Sequence, residues 1–480
     1  MSDQRTILYI VGYLLGALSV GMLLPALTDL AHGHPDWRVF VVSAALTGFV
    51  AGGIILTHRG TLPPLSVRQA FMLTGFSWLA LAAFAALPFA FSVLDLGYTD
   101  AFFEAMSGLT TTGATIIVGL DTASPGLLLW RALLQWFGGI GIIVTAISVL
   151  PMLNVGGMQL FRLESSDTSE KILPRTAQIA GSIMQLYVVI TAACVIAYIA
   201  AGMSVFDAIA HAMTTIATGG FSTHDDSFAH FDSHAVNAVA IIFMLASSLP
   251  FVAYLQLVNR KPEALMRDTQ IRTFFLLAAA ATAIVWGGQM LQNTGTNDFI
   301  RTAFNTISVM TGTGYTAADH SAWGTFALGV FFVLTFIGGC AGSTACGLKI
   351  FRLQVVVKTA WRHIRQLTRP NGVFIIRYNG RLLDDAVVHS IIVFVLIFLL
   401  SFVLVALSLS LMGQDILTSL SGAAAALANV GPGLGPVIGP SGTYAPLPDA
   451  AKYILAFAML LGRLEFLTVL VMLSPRFWRR

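Results

Sequence analysis

The sequence predicts an all-α polytopic membrane protein. Four pseudo-repeats of span, short helix, glycine-containing loop and span surround one axis, and two extra spans precede them. Three observations predict this. Of the 480 residues, 56% are hydrophobic and 10% charged, against about 25% charged in a soluble domain, and mean hydropathy is +0.81. Apolar windows such as 391–411 are long enough to cross about 30 Å of hydrocarbon. Four Thr/Gly-rich or Gly/Pro-rich stretches recur between those windows.

Ten spans are expected, near 6–30, 37–57, 69–93, 126–150, 177–201, 234–258, 272–292, 322–350, 386–412 and 452–475. The first is apolar but lacks a small-residue cleavage site, so it reads as a retained span and not a signal peptide. With the N-terminus inside, 21 of the 26 Lys and Arg fall on the cytoplasmic side. Arg38, Arg131, Arg301 and Lys452 fall on the other side or in the outer leaflet, and Arg463 lies within the last span. This positive-inside bias puts both termini in the cytoplasm. The expected units are 1–60 (two N-terminal spans), 61–160, 161–262, 263–365 and 366–480 (pore repeats 1 to 4). Cys194, Cys340 and Cys346 form no CxxC pair and suggest no disulfide framework or metal site.

Four external segments of moderate apolarity are too short to span and read as re-entrant. Each starts near an acid (Asp100, Asp207, Asp298, Asp415), which suits a helix N-terminus. Each then enters an irregular stretch: 110-TTTGAT-115, 216-IATGGFS-222, 311-TGTGYT-316 and 428-ANVGPG-433. Aligned on Gly113, Gly219, Gly314 and Gly431, these are spaced 106, 95 and 117 residues apart. Irregular backbone at membrane depth needs protein or a water-filled cavity around it. One such stretch is an ordinary turn, but four in register imply a common centre. Glycine lets successive carbonyls point the same way, and a ring of carbonyls replaces the water shell of a monovalent cation. The candidate ion-lining residues are Thr111, Thr112, Gly113, Ala217, Thr218, Gly219, Thr313, Gly314, Asn429, Val430 and Gly431.

Span eight is overlong and holds ten consecutive small residues, 338–347, a poor helix. They serve either close helix packing or an intramembrane loop beneath the ring. Arg463 is costly at mid-span. Glu465, two residues on, faces elsewhere, so carbonyls of the 338–347 stretch are its better partners; a structural role at helix ends is the alternative. Cys340 and Cys346 read as packing residues, and Glu104 and His211 as residues that pack or hydrogen-bond near the ring. His224, His230 and His234 read as solvated. The basic loop from Lys349 to Arg381 suits anionic lipid or a cytosolic regulator.

The chain resembles the Trk/Ktr/HKT potassium transporter superfamily, closest to the TrkH/TrkG-type membrane subunit of bacterial Trk potassium-uptake systems. The resemblance rests on Thr111–Thr115, Ala217–Ser222, Thr313–Thr316, Asn429–Gly433, Gly338–Lys349 and 462-GRLEF-466, and it covers essentially the whole chain. It implies a four-glycine K⁺ filter, with K⁺ at Thr112, Gly113, Thr218, Gly219, Thr313, Gly314, Val430 and Gly431. It implies a gate of Gly338, Gly339, Cys340, Ala341, Gly342, Ser343, Thr344 and Arg463. It also implies a homodimer with one pore per subunit, a cytosolic nucleotide-binding (NAD/ATP) regulatory subunit, and the bacterial inner membrane. Loop four departs from the pattern, with Val430 for threonine and Pro432 after its glycine. Rb⁺ should therefore pass, and rejection of Na⁺ should be partial. The chain itself shows no cofactor motif and no intramembrane protease or transferase signature. An Na⁺-permeable conductor, or a symporter coupled to H⁺ or Na⁺, is the alternative.

Overall fold

The computed structural model describes residues 2–60, 66–148, 172–258, 260, 265, 267–294 and 298–478. The boundaries expected at 61, 161 and 263 lie outside the described residues, as do Arg162, Lys171 and Lys261.

Among the described residues, seven helical runs are long and apolar enough to cross a membrane: Gln4–Ala31, Trp37–Thr57, Arg68–Phe91, Pro125–Ile143, Ala180–Ala200, Thr269–Gln292 and Asp385–Leu411. Only 28% of the Asp385–Leu411 window is buried within the protein. Its apolar sides therefore face outward, as lipid permits and water does not.

The other three expected spans are broken. His234–Ser247 and Phe251–Val258 meet at 91°, because Pro250 lacks a backbone N–H and pushes its predecessor out of helical geometry. Span eight is helical over Thr325–Thr335, irregular from 336 to 349, and helical again over Ile350–Thr368. The small residues therefore form an intramembrane loop and not a helix–helix packing seam. Span ten is Asp449–Arg463 and Leu467–Leu473, separated by Glu465 and Phe466 at positive φ.

The segment read as a basic loop is mostly ordered as the amphipathic helix Ile350–Thr368 and a hairpin pairing Arg377–Tyr378 with Arg381–Leu382. Asn379 and Gly380, both at positive φ, make its two-residue turn. The boundary expected at 365/366 falls inside that helix.

At the centre lie the four short helices, Tyr98–Leu109, Val205–Ile216, Phe299–Thr311 and Ile416–Ala428. Their C-terminal halves are almost wholly buried; Ala423 to Ala428 are each at most 1% exposed. Asp298 and Asp415 cap their helices through side-chain oxygens. In the first two repeats the caps are Gly97 and Ser204, with Asp100 and Asp207 in the first turn.

Candidate functional site

All four short helices end alike. A residue in the left-handed region stops each: Thr111 (φ 52°), Thr218 (φ 50°), Gly312 (φ 74°) and Asn429 (φ 52°). The following amide then reaches back five residues. Thr112 N donates to Ser107 O (2.9 Å), Gly219 N to Thr214 O (2.8 Å), Thr313 N to Ser308 O (2.9 Å) and Val430 N to Ala425 O (2.9 Å). This is a Schellman ending, which satisfies carbonyls the helix would leave orphaned. Next comes a glycine at positive φ: Gly113 (83°), Gly220 (81°), Gly314 (81°) and Gly431 (103°).

The register expected for loop two therefore shifts by one. Gly219 stands where Thr112, Thr313 and Val430 stand, and Gly220 is the counterpart of Gly113. Two adjacent glycines gave motif alignment a choice that only the helix ending decides. Ala217 consequently lies at the end of its helix, one step before the turn. Gly312, absent from the expected set, matches Thr111 and Thr218.

The loops close on one another. A Cβ on Gly113 would fall 2.2 Å from Gly219 O, one on Gly220 1.9 Å from Thr313 O, one on Gly314 1.9 Å from Val430 O, and one on Gly431 2.6 Å from Thr112 O. Each glycine abuts the next loop's peptide, in the order one, two, three, four, one. The groups in this ring are main-chain oxygens, hydroxyls and one amide, with no carboxylate. That donor set suits a monovalent cation better than Mg²⁺ or Ca²⁺, whose sites use carboxylates.

One side chain from each short helix then holds the outgoing strand of its loop. Glu104 accepts from Ile116 N (3.0 Å) and Thr115 Oγ1. His211 Nε2 pairs with Ser222 Oγ (2.9 Å). Asn305 accepts from Ala317 N (2.9 Å) and donates to Ala318 O (2.8 Å). Gly422 occupies the fourth equivalent position, and Ser421 beside it accepts from Leu434 N (2.9 Å). Glu104 and His211 thus play the hydrogen-bonding part expected of them.

Other supports were not legible in the sequence. Arg131, 1% exposed, donates to Glu104 (2.8 Å) and to Ser222 O (2.6 Å), tying loops one and two. Gln135 donates to Gly219 O (2.5 Å) and accepts from Phe221 N. Asn429 Nδ2 donates to Thr112 Oγ1 and to Met459 O, both at 2.8 Å. Tyr444 donates to Gly431 O (2.8 Å). No spacing rule pairs residues hundreds of positions apart; a buried polar type in an apolar span, such as Arg131 or Gln135, was the available signal.

Beneath the ring, the three broken spans meet. The base of the 336–349 segment is cinched by Gly338 N to Leu348 O (2.9 Å) and Leu348 N to Phe336 O (3.0 Å). A Cβ on Gly338 would lie 1.8 Å from Cys346 O, so glycine is required there. Cys340 N donates to Ser248 O (3.0 Å), and Gly342 O accepts from Phe251 N (2.9 Å): the sixth span's bend frees these groups for the segment. Thr344 Oγ1 reaches Ile216 O (3.0 Å) and Ser247 O (3.1 Å), while Gly339, Ala341 and Ser343 fill the buried turn between.

Arg463, 3% exposed, donates to Thr344 O and Gly138 O, each at 3.2 Å, and contacts Cys346 Sγ. The expected carbonyl partners are there. Cys346 is more than packing, since Thr111 Oγ1 also lies 3.8 Å from its sulfur. Glu465 turns away to pair with the buried Arg352, which also sits 3.8 Å above the Phe394 ring. A cavity of about 40 Å³, room for very few waters, lies among Gly342, Cys346, Lys349, Arg352, Arg463 and Glu465.

On the outer side, the expectation of solvated histidines needs correcting for His224; His230 and His234 are exposed. His224 is half-buried between Asp121 (2.5 Å) and Asp207 (3.5 Å), and its ring stacks on His230 at 3.5 Å. Burial lowers the His224 pKa, but the Asp207 and Asp121 carboxylates outweigh burial and raise it above the usual imidazole value. His234 remains exposed, 3.7 Å from Asp298.

The architecture is that of a multi-pass transport protein, with four pseudo-repeats whose re-entrant loops meet at one centre. The TrkH family model, described as "Cation transport protein", matches residues 38–480, and the chain belongs to that family. It is 44% identical over 479 residues to the Trk system potassium uptake protein TrkI of Halomonas elongata, covering 99% of this chain and 97% of that one. It is 37% identical over 486 residues to the TrkH protein of Vibrio parahaemolyticus, covering 99% of each. The crystal structure of the potassium transporter TrkH from Vibrio parahaemolyticus superposes with a TM-score of 0.91 at 35% identity, covering 99% of each chain. This is a family of transporters and not of enzymes.

Proposed function

We propose that this chain is the membrane subunit of a potassium-uptake system, and that K⁺ crosses the ring formed by Thr111–Gly113, Thr218–Gly220, Gly312–Gly314 and Asn429–Gly431. The observation carrying this reading is the cyclic closure of four loops, each glycine against the next loop's peptide oxygen. Such a ring supplies the oxygens that replace a monovalent cation's water. The short helices direct their C-terminal partial negative charge toward it. Full-length relatives named for potassium uptake support K⁺ as the ion. Loop four, with Val430 and Pro432, lowers the symmetry of the ring, so Rb⁺ passes readily and Na⁺ weakly. No coupling ion is required, since a unit charge entering gains about 2.3 kcal/mol per 100 mV.

The 338–344 turn and Arg463 form the gate. The guanidinium fastens the turn through Thr344 O and sets a positive charge below the ring. The cation bias puts both termini in the cytoplasm of a bacterial inner-membrane protein. The basic helix Ile350–Thr368 and its hairpin then face a cytosolic nucleotide-binding (NAD/ATP) regulatory subunit and the headgroups of membrane lipid. Two copies assemble as a homodimer with one pore each.

The test is ⁸⁶Rb⁺ uptake into proteoliposomes holding a K⁺ gradient, wild type against Gly113→Ser, with excess Na⁺. Uptake that resists Na⁺ in the wild type and loses that resistance in the variant supports a K⁺ filter. No uptake by either protein, even with the 338–347 turn shortened, rules the reading out.

A further inference from the structure

Asp121, His224 and His230 bring a carboxylate oxygen and two imidazole nitrogens within 4.8 Å of one another on the outer face. They come from two repeats: Asp121 follows loop one, and both histidines follow loop two. The neighbourhood is built to hold them. Asp225 accepts from Gly119 N and Leu120 N (each 3.1 Å), which fixes the turn carrying Asp121. Phe231 stands edge-on to both imidazoles, at 84° and 85°.

His224 presents Nδ1 to Asp121, while Nε2 faces Asp207 at 3.5 Å. Asp207 is itself held by the hydroxyls of Ser204 and Thr223, each at 2.7 Å. A carboxylate behind the far nitrogen of a histidine is the usual outer-sphere arrangement of a metal-binding imidazole.

We propose that Asp121, His224 and His230 bind a divalent transition-metal ion of the Zn²⁺ type, and that occupancy slows cation entry. Imidazole and carboxylate suit such ions. Tetrahedral ligands about 2.0–2.1 Å from the metal lie closer together than 4.8 Å, so the site must contract. His230 supplies the movement: it is exposed and its ring torsion is broad, so it turns out of its parallel stack on His224, in which one ion could not lie in both ring planes. The metal replaces the proton between His224 Nδ1 and Asp121, which leaves to solvent, and water takes the fourth position.

Occupancy would link the outer segments of repeats one and two. His224 N is bonded to Ser222 Oγ (3.1 Å), and Ser222 O to Arg131, so the link reaches the support of the ring. The inhibitory part rests on the pore reading; the binding part does not.

Binding is measured first, with ⁶⁵Zn²⁺ and tag-free full-length protein in nanodiscs. One ion per chain with micromolar affinity is expected, weakened by more than the about 10- to 100-fold that losing an outer-sphere partner costs in His230→Ala and Asp121→Asn, and unchanged in His234→Ala. No saturable binding below about 1 mM, or equal binding by wild type and both site variants, overturns the proposal. Both substituted residues are exposed, so loss of fold does not confuse the result. ⁸⁶Rb⁺ uptake is then compared at saturating Zn²⁺: the wild type should slow at least several-fold and His230→Ala should not. Equal slowing, or none in a wild type that binds Zn²⁺, overturns the inhibitory part. Wild type that binds Zn²⁺ yet takes up no Rb⁺ without it sinks the pore reading and leaves the metal site standing.

Discussion

The ring of four loops and the 336–349 segment are both irregular backbone inside an apolar protein, yet they are held by different means. Each loop follows a Schellman ending and is pinned by side chains from its own short helix: Glu104, His211, Asn305 and Ser421. Arg131, Gln135, Asn429 and Tyr444 add cross-braces. The 336–349 segment is held by backbone pairs to the bent sixth span, by the side chains of Thr344 and Gln270, and by two cations, Arg463 and Lys349. A framework braced at four points resists any single release. A segment with fewer side-chain ties is released by breaking fewer of them, and Arg463 is one that spans from the last helix. The difference is what the proposed selective ring and the proposed gate would respectively need.

The sharpest way to break the ring is at its closest approach. Gly220→Ala forces a Cβ within 1.9 Å of Thr313 O at φ 81°. Rb⁺ uptake should fall about 100-fold or more, since the left-handed backbone alone costs ~1–2 kcal/mol and the clash adds to it. Gly219→Ala meets the far end of Gln135, which can swing aside at the loss of its two hydrogen bonds, about 1 kcal/mol each. It should cost about 30-fold or less. Equal losses in uptake would return the register to Gly219.

The bracing comes next. Glu104→Ala leaves Arg131 buried and unpaired, which should destabilise by about 3–5 kcal/mol and lower the thermal unfolding midpoint in detergent. Adding Arg131→Met should recover much of that loss. A double variant no better than the single would mean the pair is not the brace.

For the gate, Arg463→Gln removes the charge and its bonds to Thr344 O and Gly138 O. Losing about 1–3 kcal/mol of closure should raise Rb⁺ uptake, measured without a regulatory partner, about tenfold or more. Unchanged uptake would assign Arg463 to structure alone.

The smallest effect concerns strain. Thr218 holds φ 50°, a conformation a β-branched residue adopts at a cost. Thr218→Gly should stabilise the protein by up to ~1 kcal/mol, read as a higher unfolding midpoint, because glycine takes that φ without a Cβ penalty.

Much of this protein was legible in its sequence. Apolar windows marked the spans, and four Thr/Gly or Gly/Pro stretches marked the loops. A run of small residues marked the break in span eight, and Arg463 stood out as a cation at mid-span. These readings depend on local composition, because lipid demands apolar side chains and irregular backbone demands glycine. The tertiary structure decided the rest. It chose Gly220 over its neighbour, since only the helix ending sets the turn's phase. It bent the sixth span so that Ser248 O and Phe251 N could pair with the 336–349 segment. It joined Glu104 to Arg131 and Asn429 to Thr112, and it gathered His224, His230 and Asp121 from separate loops. Partners that far apart meet only when the repeats close around a common centre, and no local pattern of residues encodes which side chains that closure brings within bonding distance.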